Sequence, residues 1–306
     1  MTKRVVQIGV LALCLYLLWR NVDWQEAAGL LRAADWRWLL AAVLLLTLQT
    51  ILSAERWRIT AAQLGITFPF RHALREYYLS QVVNQSLPGG VLGDAGRAVR
   101  NRDHAGLLAA GQAVLFERLA GQLGLLALLT LGLILGLTAN GDAPYPDWFH
   151  ALCATLLSSI AVACLTVITI VRGPTFISQP IRRATAAFSR AIFGPRVWRA
   201  QVALSGTTAA CTVAAFAFCA LAIGVPLGIA TSILLIPLVL FAMVIPLSIG
   251  GWGLREGAAA ILFPVFGATS GEGLAASVAF GLMILLSLAP GLILAGAGGK
   301  HAYSAR

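Results

Sequence analysis

Leu119 to Thr138 reads LAGQLGLLALLTLGLILGLT, a run in which Gln122 is the one strongly polar side chain. About 20 apolar residues are enough for a helix to cross the hydrocarbon core of a bilayer. The rest of the chain has the same character, with 59% hydrophobic and 11% charged residues among 306. A soluble domain carries about 25% charged residues. The sequence therefore predicts an all-α polytopic membrane protein, with one integral membrane domain over residues 1–306.

Similar apolar runs predict about eight transmembrane helices. They lie at 4–19, 36–53, 116–138, 149–171, 200–224, 226–247, 254–268 and 273–298. The first follows Lys3 and Arg4 and has no small-residue cleavage site directly after it, so we interpret it as an uncleaved anchor. Because the sixth contains Pro237 and the seventh is short, these two are candidates for half-helices.

The charges predict an orientation. Arginine is concentrated after the second and fourth spans, whereas 139–148 holds acids but no Lys or Arg. The positive-inside rule then places both termini in the cytoplasm. We expect the membrane to be the inner membrane. The net charge of +10 fits cytoplasmic loops and anionic lipids, so we expect no nucleic-acid partner. Residues 181–193 have the pattern of an amphipathic helix on the cytoplasmic leaflet, which either recruits anionic lipid or anchors the topology.

Two glycine-rich breaks interrupt the apolar pattern, one in each half of the chain. The first is LPGGVLGDAGR at 87–97 and the second is PLSIGGWGLREG at 246–257. Charge and irregular backbone at membrane depth are tolerated where protein or a wet cavity satisfies them. Paired broken helices are also typical of transporters built from repeats. We therefore predict a polar site, broken or re-entrant segments at 72–100 and 237–268, and a possible inverted repeat.

The residues around the first break predict a short helix, a Pro-Gly-Gly turn and a second short helix. Tyr77, Gln81 and Asn84 are spaced to share one helical face before the turn. Asp94 and Arg97 follow it at a spacing of three residues. The free N–H groups of the turn, together with Arg97, could hold a phosphate. An ordinary cytoplasmic loop with surface salt bridges fits the same pattern equally well.

Two further charged pairs stand next to apolar runs. Glu117 and Arg118 precede the span that ends at Thr138, so we expect them near its cytoplasmic end and pointing about 100° apart. Candidate partners are Asp94 or Glu256 for Arg118, and Arg97 or Arg255 for Glu117. Two roles fit the Glu117-Arg118 pair: a structural ion-pair network, or a site that holds a lipid head group. Arg255 and Glu256, in the second break, favour a functional site at the mouth of a cavity.

These motifs, in this order, resemble the lysylphosphatidylglycerol synthase transmembrane family, also called the flippase-like family. They are Asn84-x-x-Leu87-Pro88-Gly89, Gly93-Asp94-x-x-Arg97, Glu117-Arg118-Leu119 and Gly250-Gly251-x-Gly253-x-Arg255-Glu256-Gly257. The resemblance covers nearly the whole chain, although the family typically has Glu where this chain has Asp94. It implies a lipid flippase, related to the membrane part of multiple peptide resistance factors and to hopanoid and glycolipid exporters.

The resulting hypothesis is a translocase for an anionic or amphiphilic lipid, without its own ATPase, cofactor or metal. The alternatives are a membrane-embedded lipid transferase and a non-catalytic partner in a lipid-assembly complex. A homo-oligomer or a separate lipid-synthesis enzyme is a possible partner. The candidate substrate-binding residues are Asn84, Pro88, Gly89, Gly90, Asp94, Arg97, Arg100, Glu117, Arg118, Gly250, Gly251, Gly253, Arg255 and Glu256.

Overall fold

The computed structural model describes residues 24–87, 90–138, 150–151, 154–162, 179–244 and 250–291. Within these ranges the regular structure is helical, as predicted. The helices are α1 Trp24–Arg32, α2 Trp36–Ala62, α3 Phe70–Ser86, α4 Leu92–Arg100, α5 Gly106–Thr138, α6 Gln179–Phe193, α7 Trp198–Ala222, α8 Ile229–Phe241, α9 Leu254–Leu262 and α10 Ser270–Ser287. Residues 150–151 and 154–162 are helical too. The span predicted at 4–19 and most of that at 149–171 lie outside the described residues.

Four helices are long and apolar enough to cross a membrane. They are Trp36–Ala62, Gly106–Leu137, Trp198–Ala222 and Ser270–Gly291, and they coincide with the spans predicted at 36–53, 116–138, 200–224 and 273–298. The total of about eight spans stays a prediction. Residues Trp24–Arg32, between the spans predicted at 4–19 and 36–53, form a short helix whose Glu26 accepts a 2.8 Å hydrogen bond from the Thr269 hydroxyl.

Helix α5 starts earlier than the sequence predicted. It begins at Gly106, where φ is +85°, because the mainly apolar residues 107–115 continue the helix. Glu117 and Arg118 consequently lie about 16 Å along the helix, at 1.5 Å per residue. The sequence placed this pair near the cytoplasmic end of the membrane span, and its depth relative to the membrane stays a prediction.

The two segments predicted as half-helices are short. Helix α8 has 13 residues, contains Pro237 and continues as a 3₁₀ turn over Ala242–Val244. Helix α9 has 9 residues. At 1.5 Å per residue these lengths are about 20 and 14 Å, less than the hydrocarbon thickness of about 30 Å. Neither helix can cross a bilayer alone, which confirms the prediction of half-helices.

The order of helices repeats along the chain. In the first half, α2 is followed by a short helix, the glycine-rich break, the nine-residue α4 and the long α5. In the second half, α7 is followed by α8, the second break, the nine-residue α9 and α10. The leading helices α2 and α7 pack against each other more extensively than any other pair in the described part of the chain. This order supports a repeat, and its inversion across the membrane stays a prediction.

The main hydrophobic core lies where α2 and α7 meet α8, α9 and α10. Phe216, Phe263 and Phe280 are fully buried there, and the rings of Phe216 and Phe280 are 4.9 Å apart. A smaller cluster fixes the amphipathic helix α6, whose Ala187 and Ala191 pack towards Phe116 of α5. The apolar side of α6 thus contacts protein, and the exposed Arg183 and Arg190 lie on its other side.

Candidate functional site

A cavity of about 500 Å³ is lined by residues of both halves of the chain, and both glycine-rich breaks border it. Gly90 comes from the first break, and Gly250 and Gly251 come from the second. The breaks also meet: a Cβ atom on Gly250 would overlap the side-chain oxygen of Gln85, just before the first break. The polar site predicted from two broken segments is therefore a single cavity.

The lining of the cavity divides by helix. Helices α8 and α10 contribute mainly apolar side chains, among them Leu240, Phe280, Ile284 and Leu288. Helices α2 to α5 and α7 contribute most of the polar ones, namely Gln49, Thr50, Arg56, Tyr77, Ser80, Gln81, Asn84, Gln85, Asp94, Glu117, Arg118, Gln122, Thr208 and Thr212. A molecule with a polar head and an apolar body matches such a lining.

Helices α3 and α4 form the hairpin predicted around the first break. The N–H of Gly93 donates a 2.8 Å hydrogen bond to the Asn84 side-chain oxygen, which ties the start of α4 to the end of α3. The helices approach so closely that a Cβ atom on Gly93 would overlap the carbonyl oxygen of Ser80. This contact places Asp94, one residue further on, against α3.

Asp94 is surrounded by hydrogen-bond donors. Its Oδ1 accepts from Arg97 at 2.9 Å and from the Ser80 hydroxyl at 3.3 Å. Its Oδ2 accepts from the Asn84 amide at 3.0 Å and forms an ion pair with Arg118. Arg118 also donates to the carbonyl oxygen of Gly90 at 3.1 Å. Because the Arg118 side chain is 43% exposed, it is the accessible cation of this part of the cavity.

Glu117 is fully buried and holds the other side of the network. Its Oε1 accepts from Arg56 of α2 at 2.7 Å and from the Tyr77 hydroxyl at 3.2 Å. Its Oε2 lies 3.4 Å from Arg97. Arg56 in turn donates to the Thr208 hydroxyl of α7 at 2.8 Å. Through these bonds one carboxylate connects α2, α3, α4, α5 and α7.

Arg97 lies behind the cavity. Its guanidinium carbon is 4.5 Å from the centre of the Trp57 ring and 4.6 Å from that of Tyr77, and the residue is 1% exposed. Cation–π contacts of this kind stabilise a desolvated guanidinium. Arg97 bridges Asp94 and Glu117 and is not part of the cavity lining. The geometry therefore gives it a positioning role.

The second break carries a similar buried cluster. Glu256 Oε1 accepts from Arg255 Nη2 at 2.6 Å and from the Ser277 hydroxyl at 3.1 Å. Glu256 Oε2 accepts from the N–H of Gly253 at 2.6 Å, which caps α9. The Arg255 guanidinium lies between Trp252 and a phenylalanine, 5.1 Å from the indole ring centre. Arg255 and Glu256 thus satisfy each other away from the lining of the cavity.

A comparison with protein families fits this geometry. A family model described as the lysylphosphatidylglycerol synthase transmembrane region matches residues 4–291. The chain belongs to this family. Among curated proteins, none matches the chain. For a member of the lysylphosphatidylglycerol synthase transmembrane family, a function connected with membrane lipids follows, and the cavity lies wholly inside the matched range.

In this member of the family, the cavity brings together half of the residues that the sequence singled out. They are Asn84, Gly90, Asp94, Glu117, Arg118, Gly250 and Gly251. The other described candidates lie outside the lining, namely Arg97, Arg100, Gly253, Arg255 and Glu256. Arg100 pairs with the buried Glu76 at 2.5 Å instead. Pro88 and Gly89 lie outside the described residues.

The predicted pairs of charges are correct for the first half of the chain. Arg118 pairs with Asp94 and Glu117 lies next to Arg97, as expected. The alternative partners Glu256 and Arg255 were wrong, because those two residues pair with each other. No group of three His, Cys, Asp or Glu suited to a metal occurs among the described residues, and the expectation of a protein without a metal stays a prediction.

The sequence interpretation missed Arg56. We placed it in the loop after the span predicted at 36–53, but α2 continues to Ala62 and buries Arg56 to 3% exposure. Gln49, Ser53, Arg56 and Thr60 recur every three to four residues, which puts them on one face of the helix. That polar stripe is the signal that could have identified it.

Replacing Gly93 by Ala is expected to lower the free energy of unfolding by about 2–3 kcal/mol, because the new methyl group displaces backbone rather than a mobile side chain. Thermal unfolding of the purified protein in detergent measures this. Gly96→Ala, on the same helix, is the matched control, since its Cβ would meet only the end of the Arg100 side chain, at 3.0 Å. Equal melting temperatures for the two variants would contradict the close contact of α3 with α4.

Proposed function

We propose that this protein moves a membrane lipid between the two leaflets of the cytoplasmic membrane, with the head group passing through the cavity. The observation that carries the proposal is the meeting of both glycine-rich breaks at one cavity of about 500 Å³. A lipid head group needs a polar environment at membrane depth, whereas its acyl chains remain in an apolar one. The cavity provides both environments, because α8 and α10 line it mainly with apolar side chains and the other helices line it mainly with polar ones.

The short helices support the same proposal. Helices α8 and α9 end at membrane depth if their long neighbours span the bilayer, and backbone of this kind is tolerated only next to a cavity or inside protein. Alternating access in repeat transporters uses such broken helices around a central site. In our proposal the two helix pairs flanking the breaks, α3–α4 and α8–α9, open the cavity to one leaflet at a time. Opening the cavity to either leaflet does not require ATP hydrolysis by the protein.

The proposed orientation has both termini in the cytoplasm and the arginine-rich segments on the same side. The membrane lipid is then the principal partner, and no chemical change of that lipid is needed. A homo-oligomer or an enzyme that synthesises the lipid remains compatible with this arrangement.

Reconstitution tests the proposal. Purified protein in liposomes that contain lipids labelled at the head group is expected to make the inner-leaflet label accessible to an impermeant quencher, faster than in protein-free liposomes. Mass spectrometry of the lipids before and after should give identical masses. Exchange no faster than in empty liposomes, with correctly folded protein, would overturn the proposal. A change in lipid mass would favour the transferase alternative instead.

A further inference from the structure

We infer that the cavity selects a hydroxyl-rich head group linked through a singly charged phosphodiester, and that it disfavours a head group with an ammonium group. This inference deepens the proposed function and rests on it. It follows from three features of the lining: the occupied carboxylates, the excess of guanidinium groups and the unpaired amides.

The carboxylates of the lining are fully used by the protein. Asp94 accepts from Ser80, Asn84 and Arg97 and forms an ion pair with Arg118. Glu117 accepts hydrogen bonds from Arg56 and Tyr77 and forms an ion pair with Arg97. An ammonium group entering the cavity would find no free carboxylate, and it would lie near the half-exposed Arg118. Like charges at close range in a site of low dielectric constant repel strongly.

The cations of the network exceed the anions by one. Three guanidinium groups, those of Arg56, Arg97 and Arg118, face the carboxylates of Asp94 and Glu117. The Nε of Arg56 is buried without a hydrogen-bond partner in the described part of the chain, although Arg56 lines the cavity. Arg118 is accessible to a ligand. One further negative charge would balance the network, and phosphodiester oxygens match the fork of a guanidinium.

The amides of the lining suit hydroxyl groups. Gln85 and Gln122 border the cavity, and neither side chain has a hydrogen bond to another described residue. Gln81 uses its oxygen to accept from Thr50 at 3.3 Å, and its NH₂ group has no hydrogen bond to another described residue. An amide offers donors and an acceptor together, and a hydroxyl group needs both. For Gln122, on the membrane-length helix α5, an amide is costly unless it faces a polar partner, and a polyol is such a partner.

Exchange rates of lipids with identical acyl chains test this selectivity. Phosphatidylglycerol is expected to exchange about tenfold faster than lysyl-phosphatidylglycerol, because the first lacks and the second carries ammonium groups. It should also exchange about fivefold faster than phosphatidic acid, which has no hydroxyl-bearing group beyond its phosphate. Lysyl-phosphatidylglycerol exchanging as fast as phosphatidylglycerol would overturn the inference while leaving the proposed function intact.

Measurements of lipid binding test this inference independently of the proposed function. If no lipid exchanges, the proposed function fails, and the shift in melting temperature caused by each lipid in detergent still decides the inference. A larger shift with phosphatidylglycerol than with lysyl-phosphatidylglycerol supports it, and the reverse order overturns it. Water-soluble glycerophosphoglycerol distinguishes the source of the ligand: a shift equal to that of the whole lipid would overturn a lipid substrate in favour of a free phosphodiester.

The variant Gln122→Leu tests whether this amide contributes to the preference for phosphatidylglycerol over phosphatidic acid. The variant is expected to lower the ratio of phosphatidylglycerol to phosphatidic acid exchange about twofold, because one of the three amides loses its hydrogen bond to the head group. Gln112→Leu, on the same helix and outside the lining, is the matched control and should keep the wild-type ratio. An unchanged ratio in Gln122→Leu, with the protein folded, would overturn the role of this amide in selection.

Discussion

Glu117→Gln is expected to lower the free energy of unfolding by about 3–5 kcal/mol, because it removes one partner from a buried ion pair. Arg56 and Arg97 would then be buried at 3% and 1% exposure, and of these two only Arg97 would keep a carboxylate partner, Asp94, among the described contacts. The side chain keeps its size, so the loss reflects charge rather than packing. Chemical or thermal unfolding of the purified protein in detergent measures the effect.

Glu55→Gln is the control for this prediction. Glu55 also pairs with an arginine of α2, Arg58, but both side chains are partly exposed to solvent, at 27% and 42%. Pairs of this kind contribute about 0–1 kcal/mol. The double variant Arg56→Gln with Glu117→Gln should recover part of the loss, because it restores the balance of charges. A Glu117→Gln protein as stable as Glu55→Gln would contradict the buried network.

Arg118→Gln is expected to slow lipid exchange at least tenfold while the protein stays folded, since a charge-assisted hydrogen bond contributes about 1.5–3 kcal/mol. Arg118 is the accessible cation at Asp94 and Gly90, whereas Asp94 keeps Ser80, Asn84 and Arg97 as partners. The reconstituted exchange assay measures the rate, and a melting curve confirms folding.

Arg102→Gln is the matched control for Arg118→Gln. Arg102 also has an acidic neighbour, Asp103 at 3.6 Å, but its side chain is 60% exposed and lies outside the cavity lining. Its exchange rate should equal that of the wild type. Arg118→Gln exchanging at the same rate as this control would remove Arg118 from the proposed path. Alanine variants of Arg97 or Arg255 are less informative, because both residues are buried within ion pairs and their loss affects folding.

Local sequence patterns were sufficient for several features of the site. The hairpin around the first break follows from a Pro-Gly-Gly turn between short polar stretches, and the contact of Asp94 with Arg97 follows from a spacing of three residues. The common face of Tyr77, Gln81 and Asn84 likewise follows from helical periodicity, and all three line the cavity. The half-helices were indicated by Pro237 and by the shortness of the segment after the second break.

Other features depend on contacts between distant segments, which one sequence does not reveal. Whether Arg97 faces the cavity or the rings of Trp57 and Tyr77 is decided by how α2 and α3 pack. The same holds for Arg255, which is enclosed by Trp252 and Phe280. In both cases the sequence identified the charged residue, but the direction of the side chain, and so its role, required the fold.

The contact between Gln85 and Gly250 links two positions that are far apart in the chain. Gly250 has a φ of +56°, and its missing Cβ leaves the space that the Gln85 side-chain oxygen occupies. A side chain at 250 therefore requires the Gln85 side chain to move away or position 85 to carry a shorter residue. We therefore expect the residue identities at these two positions to covary among relatives of this protein, although they belong to different halves of the chain.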